Sequence, residues 1–277
     1  MKAAIIGTGF LGEQIYKDLL PICEEIILTH HKNKKYSNSK EFDFFTDDIS
    51  SILGDKKIDV VFLSAKIEFE EDERRLAEAM IRFLKACKDS RVIYISSDGI
   101  FGGEDGLYKE SDIPHPVTLY GKNLKLCEEL VQSYLENYCI IRPSYIYGFV
   151  DSRLDSRFEK IKREVAEGKK ISRFLDMFKS PLSYQQVSKA TVKLAMLDYR
   201  GIVHVCGERK SVYDFMKEGM EALEISTENL IGEPMPKDKP IDFLPDTSLD
   251  NSLMRKLTGI EPLGVKESFE SAILERR

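Results

Sequence analysis

A chain of 277 residues with 42% apolar content can bury one large core, or a core with a smaller lobe beside it. Its 41 basic and 47 acidic residues leave a net charge of −6, and no basic tract tracks a phosphate backbone, which excludes nucleic acid as the expected partner. Five scattered cysteines without a CxxC pair point to reduced thiols in a cytoplasmic setting and argue against a zinc centre.

In chain order, "MKAAIIGTGFLG" opens with one lysine and a short apolar run broken by glycines, so it reads neither as a signal peptide nor as a membrane span. Apolar, β-rich runs follow at "AAIIG", "EIILTH", "IDVVFLS", "RVIYISS", "YCIIRPS" and "GIVHVCG". Helical patterns lie between them at residues 10–20, 70–88, 118–136 and 184–198. Strands written as continuous Ile/Val runs are buried on both faces, and crossover helices cover both faces of a parallel sheet. The predicted architecture is a doubly wound parallel α/β sheet of Rossmann type. Near residue 148 the strand rhythm stops, and "RFEKIKREVAEGKK" and "SVYDFMKEGMEALE" predict a helical lobe. Residues 1–147 and 184–206 are assigned to the dinucleotide-binding domain, and 148–183 and 207–277 to a smaller C-terminal substrate lobe. In the run over residues 68–89, Leu76, Met80, Phe83, Leu84 and Cys87 keep helical spacing, so its charges read as a solvated face. His204, Cys139 and Cys206 sit in apolar strands and read as core residues, with no metal site implied.

The first chemical motif is "GTGFLG", with Gly7, Gly9 and Gly12 in G-x-G-x-x-G spacing directly after a strand. Glycines there allow a tight turn and close approach of backbone to a pyrophosphate, at a helix start whose N–H groups face the anion. The second strand lacks the acidic residue that binds a ribose 2′-hydroxyl and offers His31 and Lys32 instead, with Lys34 and Lys35 beyond them. Cations at that place suit a 2′-phosphate, which favours NADP over NAD. Further on, "VIYISSDGIFGG" ends a strand in Ser96, Ser97 and Asp98, and ligands of open α/β sheets bind outside such strand ends. Tyr120 follows in "YGKN", at the head of an amphipathic helix, and then "IIRPSYIYG".

Taken together, these stretches resemble the extended short-chain dehydrogenase/reductases, and most specifically the dTDP-4-dehydrorhamnose reductase family. "ISSDGIFGG" resembles S-T-D-x-V-F-x-G, "YGKN" resembles Y-G-K-x-K, "IIRPSYIYG" resembles L-R-x-S-W-V-Y-G, and "GIVHVCG" and "DTSLDNSLMRKLTG" resemble later family segments. The resemblance implies an NADP-dependent reductase of a nucleotide-activated 4-ketosugar, with Ser97 and Tyr120 as catalytic hydroxyls. It also implies cofactor contacts from Gly7, Gly9, Phe10, Leu11, Gly12, His31, Lys32, Ser64, Ala65, Arg142 and Ser144. The family lysine falls at position 124, which is Leu124 here. On a regular helix Lys122 and Lys125 lie about 160° and about 140° from Tyr120, so only a π-bulge would let Lys125 substitute. Without a cation the Tyr120 phenol is expected near its ordinary value of about 10. Phe243 replaces a family arginine that helps hold the nucleotide-sugar, and Lys237 and Lys239 stand close by in sequence. Two readings therefore stand. One is the reductase; the other is a cofactor-binding relative without turnover, acting as a homodimer or on a protein partner, like the regulatory subunit of methionine adenosyltransferase, which this chain also resembles. A Lys125 ammonium near the phenol would favour the first, and a Leu124 packed beneath it the second.

Overall fold

A computed structural model of the protein describes residues 1–54, 56–238 and 243–274. Its strands are β1 (Lys2–Ile6), β2 (Glu25–His30), β3 (Lys40–Glu41), β4 (Val60–Leu63), β5 (Arg91–Ile95), β6 (Tyr138–Pro143), β7 (Phe149–Val150), β8 (Arg153–Leu154), β9 (Ile171–Phe174), β10 (Phe178–Lys179), β11 (Gly201–Val205), β12 (Lys210–Ser211) and β13 (Leu230–Glu233). Its helices are α1 (Phe10–Leu19), α2 (Ile49–Leu53), α3 (Glu73–Ala86), α4 (Leu119–Tyr134), α5 (Ser156–Ala166), α6 (Tyr184–Ala195), α7 (Val212–Ala222), α8 (Ser252–Thr258) and α9 (Val265–Leu274).

Seven strands pair in the order β11-β6-β5-β4-β1-β2-β3, and every pairing is parallel. Alternation along β1 shows why both faces need cover: Ala4 and Ile6 join one core with α3 and α4, whereas Ala3 and Ile5 join another with α1, α6 and α8. This is the doubly wound sheet expected from the apolar runs. Side-chain caps start the crossover helices where the sequence supplies them, Asp72 for α3, Thr118 for α4 and Ser183 for α6. The buried face of α3 carries Leu76, Met80, Phe83 and Leu84, as its spacing indicated.

The small lobe departs from the all-helical expectation. Three two-stranded sheets, β10 with β12, β9 with β13 and β7 with β8, stand beside α5, α7 and α9. These strands are two to four residues long and lie among charged residues, too short for alternation to register. Their core is an aromatic cluster of Tyr147, Phe158, Phe215 and Phe269. Within the C-terminal stretch, α8 packs back on α6 and β11, with Met254 fully buried in the sheet's own core.

One buried ion pair ties α4 to the sheet. Glu128 accepts from Arg142 at Oε1 (2.9 Å) and Oε2 (2.6 Å), and from Ser96 at 2.6 Å, with both charged side chains almost wholly buried. His204 completes the group: its Nε2 lies 3.3 Å from Arg142 and its Nδ1 3.1 Å from the Tyr108 carbonyl. Burial, and then the neighbouring guanidinium, push the imidazole down to about 3, so it stays neutral as a satisfied core histidine. Replacing Glu128 by Leu leaves the buried Arg142 charge without its carboxylate and should cost about 3–5 kcal/mol in chemical denaturation. Adding Arg142→Met to that variant should recover most of the loss. If the double variant is no more stable than the single one, the pair is not what holds this seam.

Candidate active site

The sheet reverses its winding at β1, with β2 on one side and β4 on the other, and the crevice of a doubly wound sheet opens at that point. Gly7 leaves β1 with φ +95°, a conformation open to glycine, and an added Cβ would lie 2.7 Å from the Ala65 Cα. A Cβ on Gly12 would lie 2.2 Å from the Gly7 carbonyl oxygen, so helix and turn touch backbone to backbone. Ser64 donates to that same carbonyl at 2.7 Å. Gly7, Gly9, Phe10, Leu11, Gly12, Ser64 and Ala65 are thus brought together, as the sequence suggested. Leu11 faces the core, and Phe10 packs on Tyr184 with the Arg153 guanidinium 4.6 Å from its ring centre. Gly9 caps the ten-residue α1 without a side-chain bond, and the space where its Cβ would stand is open. That open cradle at a helix start fits a dinucleotide pyrophosphate.

Beyond β2, His31 is exposed with its Nε2 3.6 Å from Asp43, and Lys32 is exposed. Lys35 turns back to Glu13 on α1 and to Asp151. Arg142 and Ser144 lie elsewhere. Arg142 is committed to Glu128, and Ser144 is fully buried, its hydroxyl accepting from the Ser180 amide at 3.2 Å. Both are buried in the interior.

The second half of the site forms where α4 meets the end of β5. Ser97 caps a 3₁₀ turn over Asp98–Ile100, accepting from the Gly99 amide at 3.2 Å. A Cβ on Gly121 would lie 2.4 Å from the Gly99 carbonyl, and one on Gly99 would lie 2.9 Å from the Tyr120 ring. The two glycines let helix and turn close up, which sets Ser97 near enough to the Tyr120 phenol to act on its ionisation. Ser96 points the other way, into the Glu128 pair. The two residues expected to supply catalytic hydroxyls therefore stand at one place, where α4 meets the end of β5.

Their electrostatics differ from expectation. Leu124 is fully buried beneath Tyr120, in a cluster with Ile100, Phe101, Tyr108, Cys206 and Leu249. α4 runs as an unbroken α-helix, so no π-bulge brings Lys125 round, and Lys125 lines an outer groove with Lys122, Leu126, Glu73 and Glu129. The phenol does not stay near 10. Burial, then the Glu68 carboxylate, with a smaller push from Asp98, raise it well above, and Ser97 opposes them.

Glu68 was not legible as a site residue. It is 4% exposed, accepts from the Tyr94 hydroxyl at 2.7 Å, and is pushed up to about 7, chiefly by burial. Asn123 holds its loop down, donating to the Glu68 carbonyl at 2.9 Å and the Glu70 carbonyl at 2.7 Å. The same loop stacks Phe69 on Tyr120, ring centres 4.8 Å apart and planes 25° apart, though Phe69 is 65% exposed. Opposite, Lys179 reaches Asp98, a contact that nothing in "DMFKSP" announced. Phe243 packs edge-on to Phe174 at 5.4 Å and Lys237 is exposed, while Lys239 lies outside the described residues. Among the described residues no cluster of His, Cys, Asp and Glu could hold a metal, and no helix is long and apolar enough to cross a membrane.

Winding order, glycine turn and the Ser97–Tyr120 contact define a Rossmann protein of the extended short-chain dehydrogenase/reductase type. Within that class the chain belongs to the family of the RmlD substrate binding domain, which matches residues 64–275. It is 26% identical to the spore coat polysaccharide biosynthesis protein SpsK of Bacillus subtilis, over 82% of this chain and 81% of that one. It is also 26% identical to methionine adenosyltransferase 2 subunit beta of Xenopus tropicalis, over 100% of this chain and 89% of that one. Among solved structures, a hypothetical dTDP-4-dehydrorhamnose reductase from Sulfolobus tokodaii superposes with a TM-score of 0.81 at 27% identity, covering 96% of this chain and 99% of that one. The dTDP-4-dehydrorhamnose reductase of Bacillus anthracis in complex with NADP superposes with a TM-score of 0.82 at 20% identity, covering 99% of both, and so shares the fold.

The Glu68 carboxyl yields a stability prediction. Its folded value, about 7, lies above the ordinary 4.5, so between those values the folded chain holds a proton that the unfolded chain releases. Stability is then lost as pH rises through that window, by up to about 1.4 kcal/mol per unit. Glu68→Gln keeps an acceptor for Tyr94 and does not titrate. From pH 5 to pH 8 it should gain about 2 kcal/mol on wild type in urea denaturation. Parallel pH profiles for the two proteins would show that Glu68 is not held neutral.

Proposed function

We propose that this protein is an NADP-linked reductase of a nucleotide-activated 4-ketosugar, working without the α4 lysine. The observation that carries the reading is the placement of the Tyr120 ring against the Ser97–Gly99 turn, set by the Gly99–Gly121 approach. The glycine cradle would hold the pyrophosphate of a dinucleotide, whose reduced nicotinamide would supply the hydride for the carbonyl carbon. Ser97 holds the carbonyl oxygen, and Tyr120 gives it the phenolic proton. A phenol held well above 10 stays protonated at neutral pH. It is therefore available as an acid and poor as a base, which favours reduction over the reverse oxidation. The preference for NADP rests on Lys32 and His31 beyond β2, and the structural relative complexed with NADP supports the cofactor class.

A second reading has its own observation. Leu124 fills the place below Tyr120 and Phe69 stacks over its ring, an arrangement suited to a cofactor-binding subunit that acts on a partner protein. The similarity to methionine adenosyltransferase 2 subunit beta supports it.

Titration with NADP and NAD, followed by NADPH oxidation across a panel of dTDP- and UDP-linked 4-ketosugars, separates the two. The reductase reading expects NADP to bind at least about tenfold tighter than NAD, with Lys32→Ala abolishing most of the difference. It expects Tyr120→Phe to lower kcat by about 10² or more. Leu124→Lys should raise kcat at neutral pH about tenfold, at a cost in stability from desolvating an ammonium. Tight cofactor binding with no absorbance change across the panel favours the subunit; a Tyr120→Phe variant as fast as wild type removes Tyr120 from the chemistry.

A further inference from the structure

The ammonium absent from α4 has a counterpart on the opposite wall of the cleft. Lys179 ends β10, and its Nζ, on a side chain 12% exposed, lies 3.2 Å from Asp98 Oδ2 and 2.5 Å from Thr247 Oγ1. Thr247, fully buried, donates its own hydroxyl to the same Asp98 oxygen. The other carboxylate oxygen accepts from the Ser97 hydroxyl at 3.0 Å, and the turn that Ser97 caps lies against the Tyr120 ring, 2.9 Å from where a Gly99 Cβ would stand. Ammonium, carboxylate, serine and phenol thus follow one another from the small lobe to the head of α4.

We propose that Lys179 is the positioning cation of this site, neutralising Asp98 beside Tyr120 and freeing the Ser97 hydroxyl to serve the phenol. The proposal rests on the reductase reading. Asp98 is 6% exposed, so without Lys179 its charge would stand uncompensated next to Ser97. When Tyr120 passes its proton to a carbonyl oxygen, the phenolate needs a donor. The Ser97 hydrogen can swing from Asp98 to that phenolate because Lys179 and Thr247 still satisfy the carboxylate. Solvent returns the phenolic proton after product leaves, so the hydride and one proton are the net consumption. Around the phenol the remaining groups are Glu68, which opposes its ionisation, and the uncharged Phe69 and Leu124. Lys179 is then the cation that acts on it, through Asp98 and Ser97.

A plain tie between the lobes would use the same contacts, so the test must separate charge from anchoring. With NADPH and a nucleotide-ketosugar substrate, Lys179→Met should lower kcat by about 10-fold to 100-fold with little change in KM, and move the alkaline fall of kcat to higher pH. Lys179→Arg should retain most of the rate. Leu124→Lys added to Lys179→Met should recover at least about tenfold, since it returns charge to the phenol without touching Asp98. An unchanged kcat and pH profile overturns the proposal, as does a loss that Leu124→Lys cannot rescue. A second measurement needs no turnover, so the proposal can fail apart from the reductase reading. Protein carrying 3-fluorotyrosine, with the Tyr120 signal assigned by Tyr120→Phe, should show a smaller ionised fraction of Tyr120 in Lys179→Met than in wild type at the same alkaline pH. Equal fractions would overturn the role of Lys179 whether or not any sugar is reduced.

Discussion

Glu128 and Arg142 pin α4 against the sheet, and the position of the candidate site follows from that pin. Glu128 lies eight residues after Tyr120, on a buried face of α4, and its two oxygens are taken by Arg142 on β6 and by Ser96 at the end of β5. Because Ser96 is held from below, the next residue, Ser97, presents its hydroxyl to the crevice. Gly121 meeting the Gly99 carbonyl then sets how closely the helix start can approach, and this lays the Tyr120 ring against the turn that Ser97 caps. A charge pair that looks like a stability element therefore acts as a registry device. The same commitment explains why Arg142, which the resemblance assigns to the cofactor, faces inward.

Six of the sheet's seven strands were legible because they are four to six mainly apolar residues, as strands buried on both faces must be; the edge strand β3, two exposed charged residues, was not. The short strands of the small lobe were not, since two to four residues between polar neighbours carry no period. Ser97 and Tyr120 were legible through their motifs. The groups that tune them were not: Glu68, Asn123, Lys179 and Thr247 reach the pair through tertiary contacts spanning up to 149 residues. Nor could spacing reveal that burial would drive the phenol up rather than leave it near 10.

On the cofactor side, charge joins the lobes in a comparable way. Glu13, 1% exposed in the first turn of α1, is met by Lys35 from the loop after β2 and by Arg153 from β8, while Asp151 of the β7–β8 hairpin takes Lys17 and Lys35. The lysine loop expected to meet a 2′-phosphate is thus partly spent on the small-lobe hairpin, which leaves Lys32 as its exposed cation nearest to the end of β2.

These two clusters give a reason for a leucine at position 124 that is more than the loss of a charge. Beneath Tyr120 the walls are Ile100, Phe101, Tyr108, Cys206 and Leu249, an apolar pocket in which an ammonium would find no carboxylate. The carboxylates lie instead at the rim: Glu68 on one side, held by Tyr94, and Asp98 on the other, matched by Lys179. A leucine below the phenol seals that floor, and the cation stands where a carboxylate already waits to be neutralised. Moving an ammonium from floor to rim exchanges direct stabilisation of a phenolate for compensation of a neighbour. Coulomb attraction falls with distance, and a cation beyond Asp98 and Ser97 acts on the phenol more weakly than one a single helical turn away. The arrangement therefore suits a tyrosine that gives its proton and regains it, more than one that must wait as phenolate.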